Sequence, residues 1–418
     1  MAMRATFIST AIPPFAESHT IRNVFLLRGL ARAGYEIQVI TPHRDGGDQS
    51  LLKLLPNCSM VEIAPPDYGR SIRRISALPM GRMLGWAYGF QANLFLIPDL
   101  TAGWDRVVMQ QASNAVEKFN PSVIISSSGG FTAHVAGSEF GRRLRVPFVA
   151  DLGDPWALNP IWPATLPWRK RQNWKMESAA LNEAAAITVT TETTAEMYRT
   201  LFPKARVEVL PMGYSSDELP GRSATENELP RVTYIGVAYR TSRNLIPIFD
   251  GLGRANEMKR LEFRVVGPHS WFFERHVNRE EMDFVQFVDR VPYAESIEQI
   301  RQSDVLLVVG NSGKLQVPGK ALMFLGSGRP IVLVSQMSEA DDPTWQILRQ
   351  FPGTAYCRAE KESVCGTVSG VLSDLAAWKA AAVSRLDSSN INQYEWSTIG
   401  DRYARVVTDV AVRNEVRA

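Results

Sequence analysis

The sequence predicts an α/β protein made of two doubly wound domains. Three observations lead to this fold class. Short apolar runs recur in both halves of the chain, stretches with helical spacing lie between them, and a polar, turn-rich stretch at residues 211–230 separates the two sets. Strands that alternate with helices in this way form a parallel sheet covered by helices. A length of 418 residues suffices for two or three such domains.

The first set of elements lies within residues 1–213. Short apolar runs predict strands at residues 5–10, 35–41, 123–126, 148–151 and 186–189. Apolar residues at helical spacing predict a helix that contains residues 24–31 and ends at Gly34. Further helices are predicted at residues 112–118, 131–144 and 174–184.

The second set follows the polar stretch. Strands are predicted at residues 231–235, 262–266, 284–288, 305–309 and 331–334. Helices are predicted at residues 244–252, 295–302 and 320–325, and a final helix at 396–412. Two such domains joined by one linker would form a cleft that holds two substrates together.

Composition excludes several classes of protein. A formal net charge of +3 does not by itself indicate a nucleic-acid partner. The three cysteines are odd in number and form no CxxC pair, which argues against a disulfide framework or a structural zinc site and favours a reducing compartment. No apolar run reaches the length of a membrane span and no export signal opens the chain, so a cytoplasmic location is expected.

Polar residues follow the strands of the first domain, where ligands bind in doubly wound sheets. Residues 126–128 are serines, and Asp151 and Asp154 come at the end of the next strand. Either carboxylate could act as a general base or position a hydroxyl, and either could instead cap the following turn. His134 lies in a predicted helix, where a histidine is more often structural.

Two stretches of the second domain suit a phosphate. The strand ending at Gly236 leads into a loop with Arg240 and Arg243, and Lys320 lies in the first turn of a predicted helix. A lysine there opposes the helix dipole unless an anion is bound. The alternatives are an ordinary strand–helix turn with solvated arginines, and a surface lysine.

The chain resembles GT-B glycosyltransferases of the large family that includes many bacterial surface-polysaccharide enzymes. The resemblance is carried, in order, by IPPFAESHTIRNVFLLRGLARAGYEIQVIT, SSSGGFTAH, VADLGDPWA, ITVTTETTAEMY, VEVLPMGYSSDEL, YIGVAYRTSRN, FRVVG, SDVLLVV and VPGKALMFLGSGRPIV. It implies two Rossmann-like domains that face a central cleft. Residues 1–213 would bind the acceptor, 214–230 would be the linker, and 231–395 would bind the nucleotide-sugar. The C-terminal helix, residues 396–418, would cross back to the first domain.

The resemblance also implies roles for individual residues. Lys320 and Arg240 or Arg243 would neutralise the leaving diphosphate, and Gly236 would let it approach closely. The backbone at Gly267 and Pro268 would receive the nucleobase. Asp154 or Asp151 would face the acceptor, and His134 would approach the transferred sugar. The acceptor-side loops would contribute Ser18, His19, Ser128 and Trp156.

The chain departs from the family pattern at several positions. The family has a glutamate that holds the donor ribose, and Met323 stands in its place, where it cannot accept two hydroxyl hydrogen bonds. Leu315 replaces a second glutamate, and Gly153 replaces the arginine before the second aspartate of the ADLGDPW stretch. The glycine-rich first loop is absent. No DxD motif stands at a strand end, so no obligatory metal and no cofactor are expected.

Two basic, aromatic segments suggest contact with an anionic membrane surface. Residues 68–98 contain arginines and aromatic residues but no acidic ones, and a second cluster runs from Trp162 to Trp174. A peripheral location would suit a polyprenyl-diphosphate-linked acceptor. The alternative is a core helix with a solvated basic face.

The sequence therefore predicts a glycosyltransferase that moves a sugar from a nucleotide-sugar to a glycan or a polyprenyl-diphosphate-linked acceptor. Two alternatives remain on this fold: a nucleotide-sugar epimerase and a non-catalytic partner subunit. Asp154 is the predicted general base, whereas Asp151 is predicted to be held in the sheet edge by backbone donors.

Overall fold

The computed structural model describes residues 3–65, 96–159, 166–219, 227–238, 243–268, 273, 277 and 282–415. The chain divides into two compact units. The first contains Met1–Pro211 with Ile399–Ala418, and the second contains Met212–Thr398. Each unit is an α/β domain with a parallel sheet, which confirms the predicted fold class.

The first unit is built on a seven-stranded sheet in the order β3-β2-β1-β4-β5-β6-β7. The strand order reverses at β1, the position at which doubly wound sheets bind ligands. Register places Ser127 of β4 beside Asp151 of β5, and Asp151 beside Thr188 of β6. The strands are β1 (Arg4–Ile8), β2 (Glu36–Pro42), β3 (Ser59–Ile63), β4 (Val123–Ser127), β5 (Phe148–Leu152), β6 (Ala186–Val189) and β7 (Arg206–Val209).

Helices on both sides of this sheet bury an apolar core. Strand residues such as Ile8, Ile124 and Ile187 are fully buried, and each such side chain stabilises the fold by about 1.5–3 kcal/mol. The helices are α1 (Ser18–Arg32), α2 (Gln49–Leu52), α3 (Trp104–Phe119), α4 (Thr132–Leu144), α5 (Pro167–Leu181) and α6 (Glu192–Leu201).

The second unit has a six-stranded sheet in the order β10-β9-β8-β11-β12-β13. Its strands are β8 (Arg231–Ile235), β9 (Glu262–Val266), β10 (Val285–Val288), β11 (Val305–Val309), β12 (Ile331–Ser335) and β13 (Thr354–Arg358). Its helices are α7 (Ile246–Met258), α8 (Tyr293–Arg301), α9 (Gly319–Leu325), α10 (Pro343–Leu348), α11 (Lys361–Ser373) and α12 (Leu375–Ser384), followed by short 3-10 turns at Arg385–Asp387 and Ser389–Tyr394.

The final helix, α13 (Trp396–Glu415), packs in the first unit from Ile399 onward. Two glycines let it approach α1 closely, because a Cβ at Gly29 would lie 2.5 Å from the Gly400 carbonyl oxygen. An ion pair of 2.9 Å between Arg32 and Asp401 borders the same contact.

Most predicted strands agree with the structure, and the helices differ more at their ends. The helix predicted at residues 112–118 begins earlier, at Trp104, directly after Gly103, whose backbone has the non-helical left-handed conformation (φ 84°). The helix predicted at 174–184 runs from Pro167 to Leu181, with a proline in its first turn. Strands β3, β7 and β13 were not predicted, since their burial is only partial and their apolar runs are short.

Candidate active site

The carboxyl edge of the first sheet holds a buried ion pair. Asp151, at the end of β5, pairs with Arg22 of α1, and neither side chain is exposed. Arg22 Nη2 donates to Asp151 Oδ1 at 2.6 Å, and its Nε donates to Oδ2 at 3.0 Å. The Ser127 hydroxyl donates to Asp151 Oδ2 at 2.7 Å, and the Thr188 hydroxyl donates to Oδ1 at 2.6 Å. Asp151 is therefore held in the sheet edge as a charged group without access to a substrate.

This arrangement corrects the predicted partners of Asp151. Side-chain donors satisfy its carboxylate, where backbone donors had been expected. Burial alone would raise the pKa of Asp151, but the Arg22 charge and the hydrogen bonds hold it below its ordinary value. Sequence analysis missed Arg22. In the sequence, Arg22 and Asn23 interrupt the apolar pattern of α1. The structure buries both side chains.

His134 of α4 is fully buried beneath this edge. The hydroxyl of Ser126 lies 2.7 Å from its Nδ1, and that of Ser128 lies 3.3 Å from its Nε2. Burial lowers the pKa of His134 to about 4, so the ring is neutral at neutral pH. The predicted contact of His134 with a sugar is not available in this structure, because no part of the side chain reaches the surface.

A second, partly exposed pair lies at the same edge. His19, in the first turn of α1, places Nε2 3.4 Å from Asp154 Oδ2, and the two side chains are 24% and 34% exposed. The ring occupies the space beside Gly153, where an added Cβ would lie 2.5 Å from Nδ1. Burial alone would lower the pKa of His19, but the Asp154 carboxylate raises it to about 8. The imidazolium therefore prevails at pH 7.

Hydrogen bonds to two buried side chains, Tyr198 and Glu177, hold the loop that contains Asp154. The Trp156 backbone N–H donates to the Tyr198 hydroxyl at 3.1 Å, and that hydroxyl donates to Glu177. Glu177 also accepts from the Ala157 backbone N–H at 3.0 Å. The Trp156 indole is fully buried, stacks on a phenylalanine ring and donates to an asparagine. Trp156 was predicted to face the acceptor, but its burial makes it part of the core.

The two serines predicted for this edge differ in accessibility. Ser18 is exposed at the start of α1. Ser128 is buried, and its backbone N–H donates to the Asp151 carbonyl at 3.0 Å. The Gly153 backbone N–H in turn donates to the Ser128 hydroxyl at 3.3 Å. Ser128 thus joins the ends of β4 and β5 and supports the loop that contains Asp154.

In the second unit, two glycines bring the ends of β8 and β9 together. Gly236 and Gly267 both have positive φ, at 156° and 121°. A Cβ at Gly267 would lie 2.6 Å from the Gly236 carbonyl oxygen, so only glycine fits there. The Ala238 backbone N–H donates to the Pro268 carbonyl at 3.2 Å. Glycine at these two positions therefore lets the ends of β8 and β9 pack closely against each other.

Lys320 of α9 is the notable cation of the second unit. Among the described residues its Nζ contacts only a sulfur, that of Met323 at 3.7 Å, and no carboxylate. Burial lowers the pKa of Lys320 to about 8. The neighbouring loops are connected, because Arg243 donates to Asn311 Oδ1 at 3.2 Å and Asn311 Nδ2 donates to the Gln316 carbonyl at 3.4 Å. Arg240 lies outside the described residues.

The segments predicted to contact a membrane are only partly described. Of residues 68–98, only 96–98 are described, and Trp162 is outside the described ranges. In the second cluster Trp168 and Trp174 are exposed, whereas Arg169 is buried and donates to the Pro98 carbonyl. Within the described ranges no helix is long and apolar enough to cross a bilayer. The same ranges hold no group of three potential metal ligands.

Two Rossmann-like units with parallel sheets of this kind are the architecture of the GT-B fold. Residues 24–213 match a family model described as "Glycosyl transferase 4-like domain". The chain thus has the GT-B fold, and its residues 24–213 are similar to a glycosyl transferase 4-like domain, in line with the resemblance found in the sequence. No curated protein sequence matches the chain.

Solved structures share this fold over nearly the whole chain. Sucrose-phosphate synthase from Thermosynechococcus elongatus is 13% identical with a TM-score of 0.69, and the match covers 98% of this chain and all of that one. HepE from Anabaena in complex with UDP is 12% identical with a TM-score of 0.65, covering 97% and 100%. WaaG, a glycosyltransferase involved in lipopolysaccharide biosynthesis, is 12% identical with a TM-score of 0.64, also covering 97% and 100%.

Proposed function

We propose that the protein transfers a sugar from a nucleotide-sugar to a glycan or polyprenyl-diphosphate-linked acceptor in the synthesis of a cell-surface polysaccharide. The glycosyl transferase 4-like domain supports the reaction class. UDP in the HepE structure supports a nucleoside diphosphate as the donor's leaving group. The involvement of WaaG in lipopolysaccharide biosynthesis supports a surface glycan as product. Donor binding is proposed without a metal or cofactor.

The observation that carries the proposal is the state of Lys320. The ammonium of Lys320 is partly buried and contacts no carboxylate among the described residues, and its burial lowers its pKa. A diphosphate beside Nζ would supply the missing negative charge and would raise that pKa again. Arg243, on the loop after β8, is the second cation proposed for the leaving diphosphate. Preorganised cations of this kind stabilise the charge that develops on a leaving group.

The decisive experiment measures binding of UDP to the full chain by thermal shift and titration calorimetry. UDP should stabilise the wild type, by about 3–4 kcal/mol at 100–1,000 times the dissociation constant. Lys320→Met should weaken binding at least tenfold. The matched control is Lys361→Met, which removes an exposed lysine from α11 of the same unit. Equal affinity in Lys320→Met and the control would remove Lys320 from the donor site.

The products separate the proposed transferase from its two alternatives. A transferase releases UDP only as the sugar moves to an acceptor or to water. An epimerase converts the free nucleotide-sugar without releasing UDP. A non-catalytic subunit binds neither UDP nor its sugars. Incubation with UDP-glucose, UDP-galactose and UDP-N-acetylglucosamine, followed by anion-exchange chromatography, distinguishes these results.

Contact with an anionic membrane surface is part of the proposal. Trp168, Arg171 and Lys175 are all exposed and share one face of α5, since they are spaced three and four residues apart. A cationic, aromatic face of this kind binds anionic lipid headgroups. Binding to vesicles containing phosphatidylglycerol should fall as salt rises. Binding to neutral vesicles alone, or equal binding by Trp168→Ser with Arg171→Ser, would contradict this assignment.

A further inference from the structure

We propose that Arg385 is a positioning residue for donor binding, because it holds the C-terminal end of α9, the helix that carries Lys320. This inference rests on the proposed function and deepens it, since it names the group that fixes the Lys320 ammonium beside the donor diphosphate. Arg385 directly follows α12 and begins the short 3-10 turn Arg385–Asp387. Its side chain is fully buried inside the second unit.

All five N–H donors of the Arg385 guanidinium are directed at backbone carbonyls. Two of these carbonyls end α9, where Nε donates to Leu325 at 2.8 Å and Nη2 donates to Phe324 at 3.2 Å. The others lie in the turns that lead into β12 and β13, with Nη2 donating at 2.5 Å and Nη1 at 3.3 and 3.5 Å, and they belong to Arg329, Pro352 and Gly353. One side chain therefore joins the end of α9 to both neighbouring turns.

The charge of Arg385 lies where a cation stabilises a helix. The C-terminal end of a helix has a partial negative charge and carbonyls without intrahelical donors, and Arg385 supplies both the cation and the donors. Within the described ranges its donors go to carbonyls and none goes to a carboxylate. Lys320 lies at the opposite end of α9, where a cation opposes the helix dipole. The position of this helix therefore depends on Arg385.

Helix α9 is too short to keep its position without contacts from the rest of the unit. It has only the residues Gly319–Leu325, and isolated helices of this length are marginal in water. The backbone of Lys320 lies about 7.5 Å along the axis from that of Leu325, so a displacement at the C-terminal end carries Lys320 with it. Gly326, the next residue, packs against the Tyr214 ring and leaves no room for a Cβ. Arg385 completes this fixed end.

The pKa of Lys320 reports where α9 lies. Burial lowers this pKa from 10.5 to about 8, and Nζ lies 3.7 Å from the Met323 sulfur on the same helix. If α9 moves away from its site, Nζ gains solvent and its pKa should rise towards 10.5. A loss of stability elsewhere in the unit leaves the surroundings of Nζ in the folded protein unchanged. The pKa therefore separates a positioning role from a merely structural one.

Binding of UDP to the full chain, measured by titration calorimetry, tests the role of Arg385. Arg385→Met should weaken binding about tenfold or more, since it removes the charged donors. Adding Arg385→Met to Lys320→Met should weaken binding no further, because Arg385 acts through Lys320. Arg385→Lys keeps the charge but has three donors in place of five, and should lose less affinity. The matched control is Val368→Ala, which removes buried volume from α11 of the same unit and should lower stability without changing UDP affinity.

Lysine NMR titration tests the position of Nζ without UDP. The Lys320 signal, assigned by its absence in Lys320→Met, should titrate near pH 8 in the wild type and in Val368→Ala, and closer to 10.5 in Arg385→Met. If Arg385→Met does not fold, Arg385→Lys is measured in its place and should differ from the wild type in the same directions.

Three results would overturn the proposal. They are UDP affinity in the Arg385 variant within about twofold of the wild type, a further loss beyond that range when it is combined with Lys320→Met, and a Lys320 pKa that stays near 8 in the Arg385 variant. Failure of UDP to bind the wild type overturns the proposed function instead. The titration then still decides whether Arg385 positions Lys320.

Discussion

Arg22 and Asp151 form a two-pronged ion pair in which neither side chain is exposed, with Nη2 to Oδ1 at 2.6 Å and Nε to Oδ2 at 3.0 Å. The same guanidinium donates Nη1 to the Leu210 carbonyl at 2.8 Å and to the Pro211 carbonyl at 3.1 Å. One side chain therefore connects α1, the end of β5 and the end of the first segment of this unit. The pair positions the sheet edge that carries His19 and Asp154.

Removing Arg22 should destabilise the first unit strongly. Arg22→Met leaves the Asp151 charge buried without its counterion, which costs about 3–5 kcal/mol of unfolding free energy. Arg22→Met combined with Asp151→Asn should cost less than Arg22→Met alone, because no unpaired charge is then buried. Urea unfolding monitored by circular dichroism measures both. A double variant that loses as much as the sum of the two single variants would show that the pair is not coupled.

The sequence was most informative where periodicity and strand ends decide the structure. Strands 231–235, 262–266 and 305–309 have the predicted bounds, because continuous apolar runs between turn residues leave little freedom. The candidate pair Asp151 and Asp154 was also located, because both follow a buried strand. Which of the two is buried depends on the partners, Arg22 and His19. Those contacts join α1 to β5 across more than a hundred residues, and local pattern does not contain them.

Glu177 should make the stability of the first unit fall as pH rises from about 4.5 to 7. Burial raises the pKa of Glu177 from 4.5 to about 7, although its hydrogen bonds with Tyr198 and Ala157 oppose the shift. Between these values the folded state holds a proton that the unfolded state has lost, so unfolding becomes easier at up to about 1.4 kcal/mol per pH unit. Glu177→Gln, which cannot ionise, should abolish this slope.

Urea unfolding of the wild type and Glu177→Gln at pH 5, 6, 7 and 8 measures the difference. The difference in unfolding free energy between Glu177→Gln and the wild type should grow in favour of the variant up to pH 7 and stay constant above it. Tyr198→Phe is the control for loss of the hydrogen bond alone, since it removes the hydroxyl donor and leaves a carboxyl that still ionises, so a slope with pH should remain. Parallel curves for wild type and Glu177→Gln across the whole range would contradict a raised pKa.

Gly153→Ala should displace the His19 ring while leaving Asp154 in place. The added Cβ would meet the ring at 2.5–2.6 Å, and the side chain of His19 can rotate away. The cost in unfolding free energy should therefore be small, but the NMR-measured pKa of His19 should fall from about 8 towards 6.5. In a protein that already carries His19→Ala, Gly153→Ala should leave the unfolding free energy unchanged. A His19 pKa near 8 in Gly153→Ala would show that the ring does not depend on this space.

Gly267→Ala should damage the second unit by a different mechanism. Its positive φ of 121° and the Gly236 carbonyl oxygen at 2.6 Å are both backbone constraints, which no side-chain rotation relieves. We expect a loss of about 1–3 kcal/mol in unfolding free energy and weaker UDP binding.

Gly366→Ala is the control, because a Cβ there meets nothing within 4 Å and the residue lies inside helix α11. That variant should be neutral or more stable by up to about 1 kcal/mol. Equal losses in both variants would exclude a special constraint at Gly267.

Binding of UDP-glucose should draw a proton onto Lys320 at alkaline pH. Burial lowers the pKa of Lys320 to about 8, so about half of the free protein lacks this charge at pH 8. The diphosphate of UDP-glucose is fully ionised from pH 6 to pH 9, and it favours the charged ammonium. Binding at pH 8 should therefore take up about half a proton, and binding at pH 6 almost none. Affinity should decline as pH rises above 8.

Calorimetry in buffers of different ionisation enthalpy measures the proton uptake. Lys320→Arg, which stays charged, should show no uptake. Binding by the wild type without proton uptake at pH 8 would place Nζ away from the diphosphate.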